Sequence, residues 1–227
     1  MRRLLASARC DVELQARNGL YIATGFVLLV MLALLAALPP SGLARLLPAV
    51  ALNTLGVTAF YFSAALALLE RAEGSAKARL VTPLRPGEQL GARAMTLALL
   101  AIVQHTALGL PLVGPRPGLL ALAAGVAIAA AILALAGYAA TAGRTAINNF
   151  LLPSVPWIAL LLAPIVPDVL GWRSPLLWLH PLQGPLVLMR AAVVPTAPWE
   201  AALALALGLA WLGGAFWLAR RAYAEEA

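Results

Sequence analysis

The chain has one cysteine, Cys10, two histidines, His105 and His180, and nine acidic residues among 227. A single cysteine excludes an intramolecular disulfide. Beside two distant histidines it also leaves no Cys/His set for zinc, so no metal or cofactor site is assigned. No G-x-x-x-x-G-K-[ST] phosphate loop occurs, so ATP hydrolysis by this chain alone is not expected. A G-x-S-x-G elbow, an H-E-x-x-H helix and an intramembrane carboxylate pair are missing too, and no catalytic residue is assigned. The chain is expected not to be an enzyme. Ionisable residues within the apolar runs are nearly absent, His105 being the one well inside, and this argues against a carrier driven by protons or sodium.

What is present is apolar. Hydrophobic residues make up 63% of the chain, charged residues 11%, and the mean hydropathy is +0.90. Such a chain has lipid as its solvent. Its formal net charge of +7 fits anionic headgroups and the positive-inside bias rather than a nucleic-acid partner. A bilayer core about 30 Å thick takes roughly 20 apolar residues per helix. Breaks in the apolar runs then predict six spans at about residues 20–38, 46–69, 94–113, 119–142, 150–166 and 201–219. The fold class is an all-α membrane protein: residues 1–19 are expected to form an N-terminal interfacial helix, and residues 20–227 a six-span transmembrane domain.

Over residues 2–18 the helical spacing groups Leu4, Leu5, Ala8, Val12 and Ala16 opposite Arg3, Glu13 and Arg17, which suits a helix in the membrane interface. Asp11, Glu13 and Arg17 interrupt the early leucines, so this segment is expected to be retained rather than cleaved as a signal. Residues 167–198 are apolar but carry Pro167, Pro175, Pro181, Pro185, Pro195 and Pro198 among Trp172 and Trp178, and read as a re-entrant or interfacial hairpin before the last span. Glycine pairs such as Gly213-Gly214 are expected to serve close helix packing. Alternate loops collect twelve of the sixteen basic residues, leaving Arg45, Arg116, Arg173 and Arg190 on the other side. Both termini are therefore expected in the cytoplasm.

The most polar segment is residues 70–93, read as a loop because mid-depth charges cost about 2.5–3.5 kcal/mol each on insertion scales. Its order, Glu70-Arg71-Ala72-Glu73-Gly74-Ser75 and then Thr82-Pro83-Leu84-Arg85-Pro86-Gly87-Glu88, resembles the E-R-x-x-G-[ST] and T-P-L-[RS]-x-x-E pattern of type-2 ABC-transporter permeases. It is closest to the permease subunits of fluoroquinolone exporters. Leu161-Leu162-Ala163-Pro164 and Pro181-Leu182-Gln183-Gly184-Pro185-Leu186 resemble the same subgroup.

The resemblance implies a prokaryotic plasma-membrane protein that pairs with a second permease chain and with separate ATPase subunits, which hold the ATP and magnesium. It further implies export of a hydrophobic or amphiphilic small molecule. A coupling element would begin at Glu70, Arg71, Glu73 and Gly74 and be lined by Lys77 and Arg79, with a smaller contact around Arg144. Polar candidates for a substrate route are Asn53, Tyr61, Gln104, His105, Asn148 and Asn149, each equally suited to bonding helices together. A haem-exporter permease of cytochrome c maturation and a non-transporting membrane scaffold are the alternative readings.

Overall fold

A computed structural model describes residues 2–74, 85–144 and 146–224, and among them the chain is helical throughout. Helix α1 (Arg2–Arg17) leads through Gly19 into α2 (Leu20–Ala36), and the two meet at 67°. Gly19 takes φ +70°, a conformation that costs a side-chain-bearing residue strain, so the bend falls there. The buried face of α1 is Ala8, Asp11 and Gln15, whereas Leu5 and Val12 are exposed. The helix thus turns Asp11 and Gln15 toward the bundle and leaves Leu5 and Val12 outward. That differs from the simple split expected of an interfacial helix, because Asp11 and Gln15 find partners inside.

Helix α3 (Pro40–Leu55) continues through a π-helical stretch, Gly56–Tyr61, into α4 (Phe62–Ala72), so that 33 residues form one span. It begins before the expected residue 46, and Pro48 is accommodated inside it. Helix α5 (Pro86–Val113) begins eight residues before the expected residue 94. The expected boundary rested on the cost of burying Glu88 and Arg93. Glu88 instead caps the helix, accepting the Arg85 N–H at 2.9 Å, and Arg93 is paired internally. The polar loop is correspondingly shorter than 70–93.

Helix α6 (Gly118–Ala139) is the centre of the bundle, with most of its length buried. Glycine lets neighbouring backbones reach it. A Cβ at Gly137 would stand 2.2 Å from the Phe60 carbonyl oxygen of the π-helical stretch, and one at Gly125 would stand 2.6 Å from that of Pro185. Gly213 and Gly214, by contrast, have no neighbouring atom within 4 Å of such a Cβ, so the expectation that they pack helices together is not met within this chain.

Helix α7 (Asn148–Leu162) contains Pro153 and Pro156 and is followed by the short α8 (Ile165–Leu170). A 3₁₀ turn, Pro175–Leu179, precedes α9 (Gln183–Arg190), every residue of which is buried. Trp172 and Trp199 flank this region and are exposed. The chain ends in α10 (Pro198–Ala224), longer than the 201–219 expected and buried only at Ala204, Gly208 and Ala219.

Among the described residues four helices are long and apolar enough to cross a membrane, those of residues 40–72, 86–113, 118–139 and 198–224; the bent pair α1–α2 makes a fifth when taken as one broken span. Helix α7, at 15 residues, is shorter than a full crossing.

Candidate functional site

The end of the bundle formed by the last turn of α4, the first turns of α5 and the α6–α7 connection gathers most of the coupling residues suggested by the sequence. Arg93, one face of α5, projects into the gap between α1 and α4. Its Nη2 donates to Asp11 Oδ1 at 3.3 Å and makes a closer ion pair with Glu70 Oε1. All three side chains are about 3% exposed. Three helices distant in sequence are thereby tied at one guanidinium. The same face of α5 extends the polar seam, with Gln15 Nε2 donating to Thr96 Oγ1 at 2.9 Å and the Tyr21 hydroxyl donating to Gln15 Oε1 at 3.2 Å.

Glu70 is therefore turned inward, its side chain about 3% exposed within this chain. The alternation along the last turn of α4 explains the contrast with its neighbours. Arg71, one residue on, points across to the α6–α7 connection. Its Nη1 donates to the carbonyl oxygens of Thr141 at 2.7 Å and Arg144 at 2.8 Å, and its Nη2 donates to Thr141 Oγ1 at 2.9 Å. The Thr141 hydroxyl in turn donates to the Tyr138 carbonyl at 2.6 Å, and the guanidinium lies 6.0 Å from the Tyr138 ring centroid. Arg144 Nη1 in turn donates to the Ala140 carbonyl. A planar guanidinium satisfies several acceptors at fixed angles, which a lysine ammonium does not. Glu73 and Gly74 follow on the exposed surface, Gly74 at φ +74°. Lys77 and Arg79 lie outside the described residues.

The route candidates separate into two groups. Gln104 and His105 are enclosed: the His105 ring nitrogens lie 2.8 Å from the Ala101 carbonyl and 3.2 Å from that of Ala51, and Gln104 Nε2 lies 3.5 Å from the Thr24 carbonyl. These contacts join α5 to α3 and α2. Asn53, Asn148 and Asn149 are exposed, and Tyr61 is half-buried. Tyr61 stands beside α7, with its ring edge-on to Phe60 at 5.2 Å and to Phe150 at 6.2 Å, and its hydroxyl oxygen accepts from Ser154 Oγ at 3.4 Å.

Sequence reasoning passed over Asp11, Arg93 and Thr141 as site residues. The available signal was Asp11 and Gln15 at i, i+4 on a short helix preceding the first span. It also passed over a second ion cluster, Asp168–Arg190–Glu200, at the other end of α10. Among the described residues no group of three or more His, Cys, Asp or Glu side chains is placed to hold a metal ion. The arrangement ties α1, α4, α5 and the α6–α7 connection together through two arginine side chains.

Two curated relatives, the fluoroquinolones export permease proteins of Mycobacterium tuberculosis strains CDC 1551 and H37Rv, are each 30% identical over 208 residues, covering 90% of this chain and 88% of theirs. The segment from residue 2 to residue 226 matches the family of fluoroquinolones export permease proteins. Helices of membrane-crossing length and a match along nearly the whole chain agree, and the protein belongs to the fluoroquinolones export permease protein family.

Proposed function

We propose that the chain is the membrane subunit of an ATP-driven exporter, working as a pair of permease chains with separate ATPase subunits and expelling an amphiphilic or hydrophobic drug of the fluoroquinolone kind. The substrate class rests on the relatives' names. The six-span arrangement of this reading counts α2 and the α7–α8 pair as crossings, with both termini in the cytoplasm of a prokaryotic cell. The family match from residue 2 to residue 226 favours it over the haem-exporter and scaffold readings.

The observation that carries the coupling role is the Arg71 bracket. A force applied at the exposed Glu73–Gly74 segment reaches the α6–α7 connection through three hydrogen bonds, and reaches α1 and α5 through the adjacent Glu70–Arg93–Asp11 cluster. In this reading Glu73, Gly74, Lys77 and Arg79 meet the ATPase directly. Glu70, Arg71 and Arg144 position that surface, and the coupling loop and the smaller contact move as one body. The drug follows the side of the α3–α4 span that bears Asn53 and Tyr61, next to α7.

The test is reconstitution of this chain in vesicles with the ATPase subunit that co-purifies with it. Drug-stimulated ATP turnover and ATP-dependent accumulation of a fluorescent fluoroquinolone are expected, with neither seen for the permease alone. Hydrolysis by the isolated permease, or drug movement that ignores ATP, overturns the proposal.

A further inference from the structure

Helix α10 carries no charged residue from 201 to 219, and Arg220-Arg221 follow at once. Trp199 and Trp217 bracket the apolar stretch, both more than half exposed. They stand eighteen positions apart, which is about 27 Å along a helix and close to the roughly 30 Å of a bilayer core. Tryptophan collects at the two membrane–water interfaces, so this spacing sets Trp217 at one interface and the arginines one turn beyond it, at the depth of lipid phosphates.

The surface there is shaped as well as charged. Phe216, Trp217, Arg220, Arg221 and Ala224 fall on one face of α10 and line an open groove of about 410 Å³. The guanidinium carbon of Arg221 lies 3.9 Å from the centroid of the Trp217 ring. A guanidinium laid on an aromatic face is held by the ring quadrupole, while its N–H groups, which lie in its own plane, stay open to oxygen acceptors. Among the described residues neither Arg220 nor Arg221 has a carboxylate within ion-pair distance. Glu88, in the turn of α5 that meets the Phe216 ring at Gly87, is bonded to the Arg85 N–H. Glu225 and Glu226 lie outside the described residues.

The last turn of α10 is anchored. The Tyr223 ring stacks on Tyr138 at 6.2 Å and its hydroxyl donates to Gln89 Oε1 at 3.3 Å, which fixes the groove against α6 and α5. An apolar wall reaching into hydrocarbon, with two cations at phosphate depth, has the layout of a phospholipid. A water-soluble acidic partner would match the arginines and leave Phe216 and Trp217 unmatched. Two cations also call for a headgroup without a cation of its own, such as phosphatidylglycerol.

We infer that this groove holds one anionic phospholipid, its phosphate bonded by Arg220 and by the Trp217-supported Arg221, with an acyl chain laid along Phe216 and Trp217. The site asks only that the chain spans a bilayer and does not depend on the exporter reading.

The test titrates dioleoyl phosphatidylglycerol, with dioleoyl phosphatidylcholine as the zwitterionic comparison, into the purified full chain in detergent and counts bound lipid by native mass spectrometry. One phosphatidylglycerol is expected to bind in preference to phosphatidylcholine. Arg220→Gln with Arg221→Gln should weaken it roughly 10- to 25-fold, at about five-fold for each basic residue facing an anionic lipid, and leave phosphatidylcholine binding unchanged. Arg116→Gln with Arg173→Gln removes the same charge from exposed positions elsewhere and should leave phosphatidylglycerol binding as in the parent. Trp217→Leu keeps both charges and an apolar contact but removes the ring beneath Arg221, and is expected to weaken binding several-fold. The site is overturned if the Arg220 and Arg221 double variant binds phosphatidylglycerol as the parent does, or if Trp217→Leu changes nothing. It is also overturned if the Arg116 and Arg173 double variant loses as much, which is the behaviour of a general charge belt. Loss of a co-purifying ATPase subunit from the Arg220 and Arg221 double variant, with lipid binding intact, overturns it in favour of a protein contact.

Discussion

Replacing Glu70 by Gln removes one of two carboxylates facing the buried Arg93 guanidinium and keeps the side chain's volume. Arg93 is left with Asp11 at 3.3 Å, while its Nε and Nη1 already lack hydrogen-bond partners. Breaking a buried pair from one side typically costs about 3–5 kcal/mol, because the remaining charge keeps its desolvation penalty and loses its compensation. At about 3% exposure no discount for solvent screening applies. For a chain of this size about 2–4 °C accompanies each kcal/mol, so the melting temperature in detergent should fall by roughly 6–20 °C. Glu73→Gln, on an exposed residue one turn later, is the control and should stay within about 0.5 kcal/mol of the parent. The assay is thermal melting by fluorescence-detected size exclusion, alongside membrane abundance. Replacing the whole cluster, Asp11→Asn with Glu70→Gln and Arg93→Met, should recover most of the loss, since the buried guanidinium is removed together with the two carboxylates it faces. Equal melting of Glu70→Gln, Glu73→Gln and the parent would refute the reasoning and return Glu70 to the surface as a direct partner contact.

Arg71→Lys should keep the charge that orients the loop yet lose the three-acceptor geometry toward Thr141 and Arg144, so a several-fold drop in ATPase co-purification is expected at near-normal insertion. Gly137→Ala drives a methyl into the Phe60 backbone and should cost about 1–3 kcal/mol or more, whereas Gly213→Ala should be neutral or slightly stabilising in the same melting assay. His180 provides a pH readout of the hairpin. Leu182 N–H donates to Nδ1 at 3.2 Å, so Nε2 carries the proton that bonds the Leu160 carbonyl at 3.0 Å, and the neutral ring is the bonded form. Burial pushes the ring's pKa below its usual value near 6.5, against the opposing pull of the Leu160 bond. Between that lowered value and about 6.5 the unfolded chain binds a proton that the folded hairpin does not, so stability is full above about pH 6.5 and falls as the pH drops through the window. Proteolysis of the 167–198 segment in detergent should accelerate on acidification in the parent, and His180→Gln should flatten that dependence.

The sequence alone determined the solvent. With 63% hydrophobic residues and apolar runs near bilayer length, helices are the form that satisfies every backbone group within its own segment, and this follows whatever the neighbours are. The order of residues around Glu70 and Gly184 sufficed to place the chain in its family, because those motifs are local strings. Helix ends were less legible. Arg93 looked like a residue that must stay outside the membrane helix, since a sequence prices each charge singly, whereas α5 starts at Pro86 because Asp11 and Glu70, 82 and 23 positions away, neutralise it. The same non-locality decided which glycines matter. Gly213-Gly214 and Gly137 are equally plausible from their surroundings in the chain, and only the crossing of α6 with the Phe60 backbone makes one indispensable and leaves the other pair open. Glu70 and Arg71 stand side by side, yet one helical step of about 100° sends the first into the core and the second to Thr141. Tertiary structure made that choice, because the burial of a charge depends on the partner that three-dimensional packing brings to it.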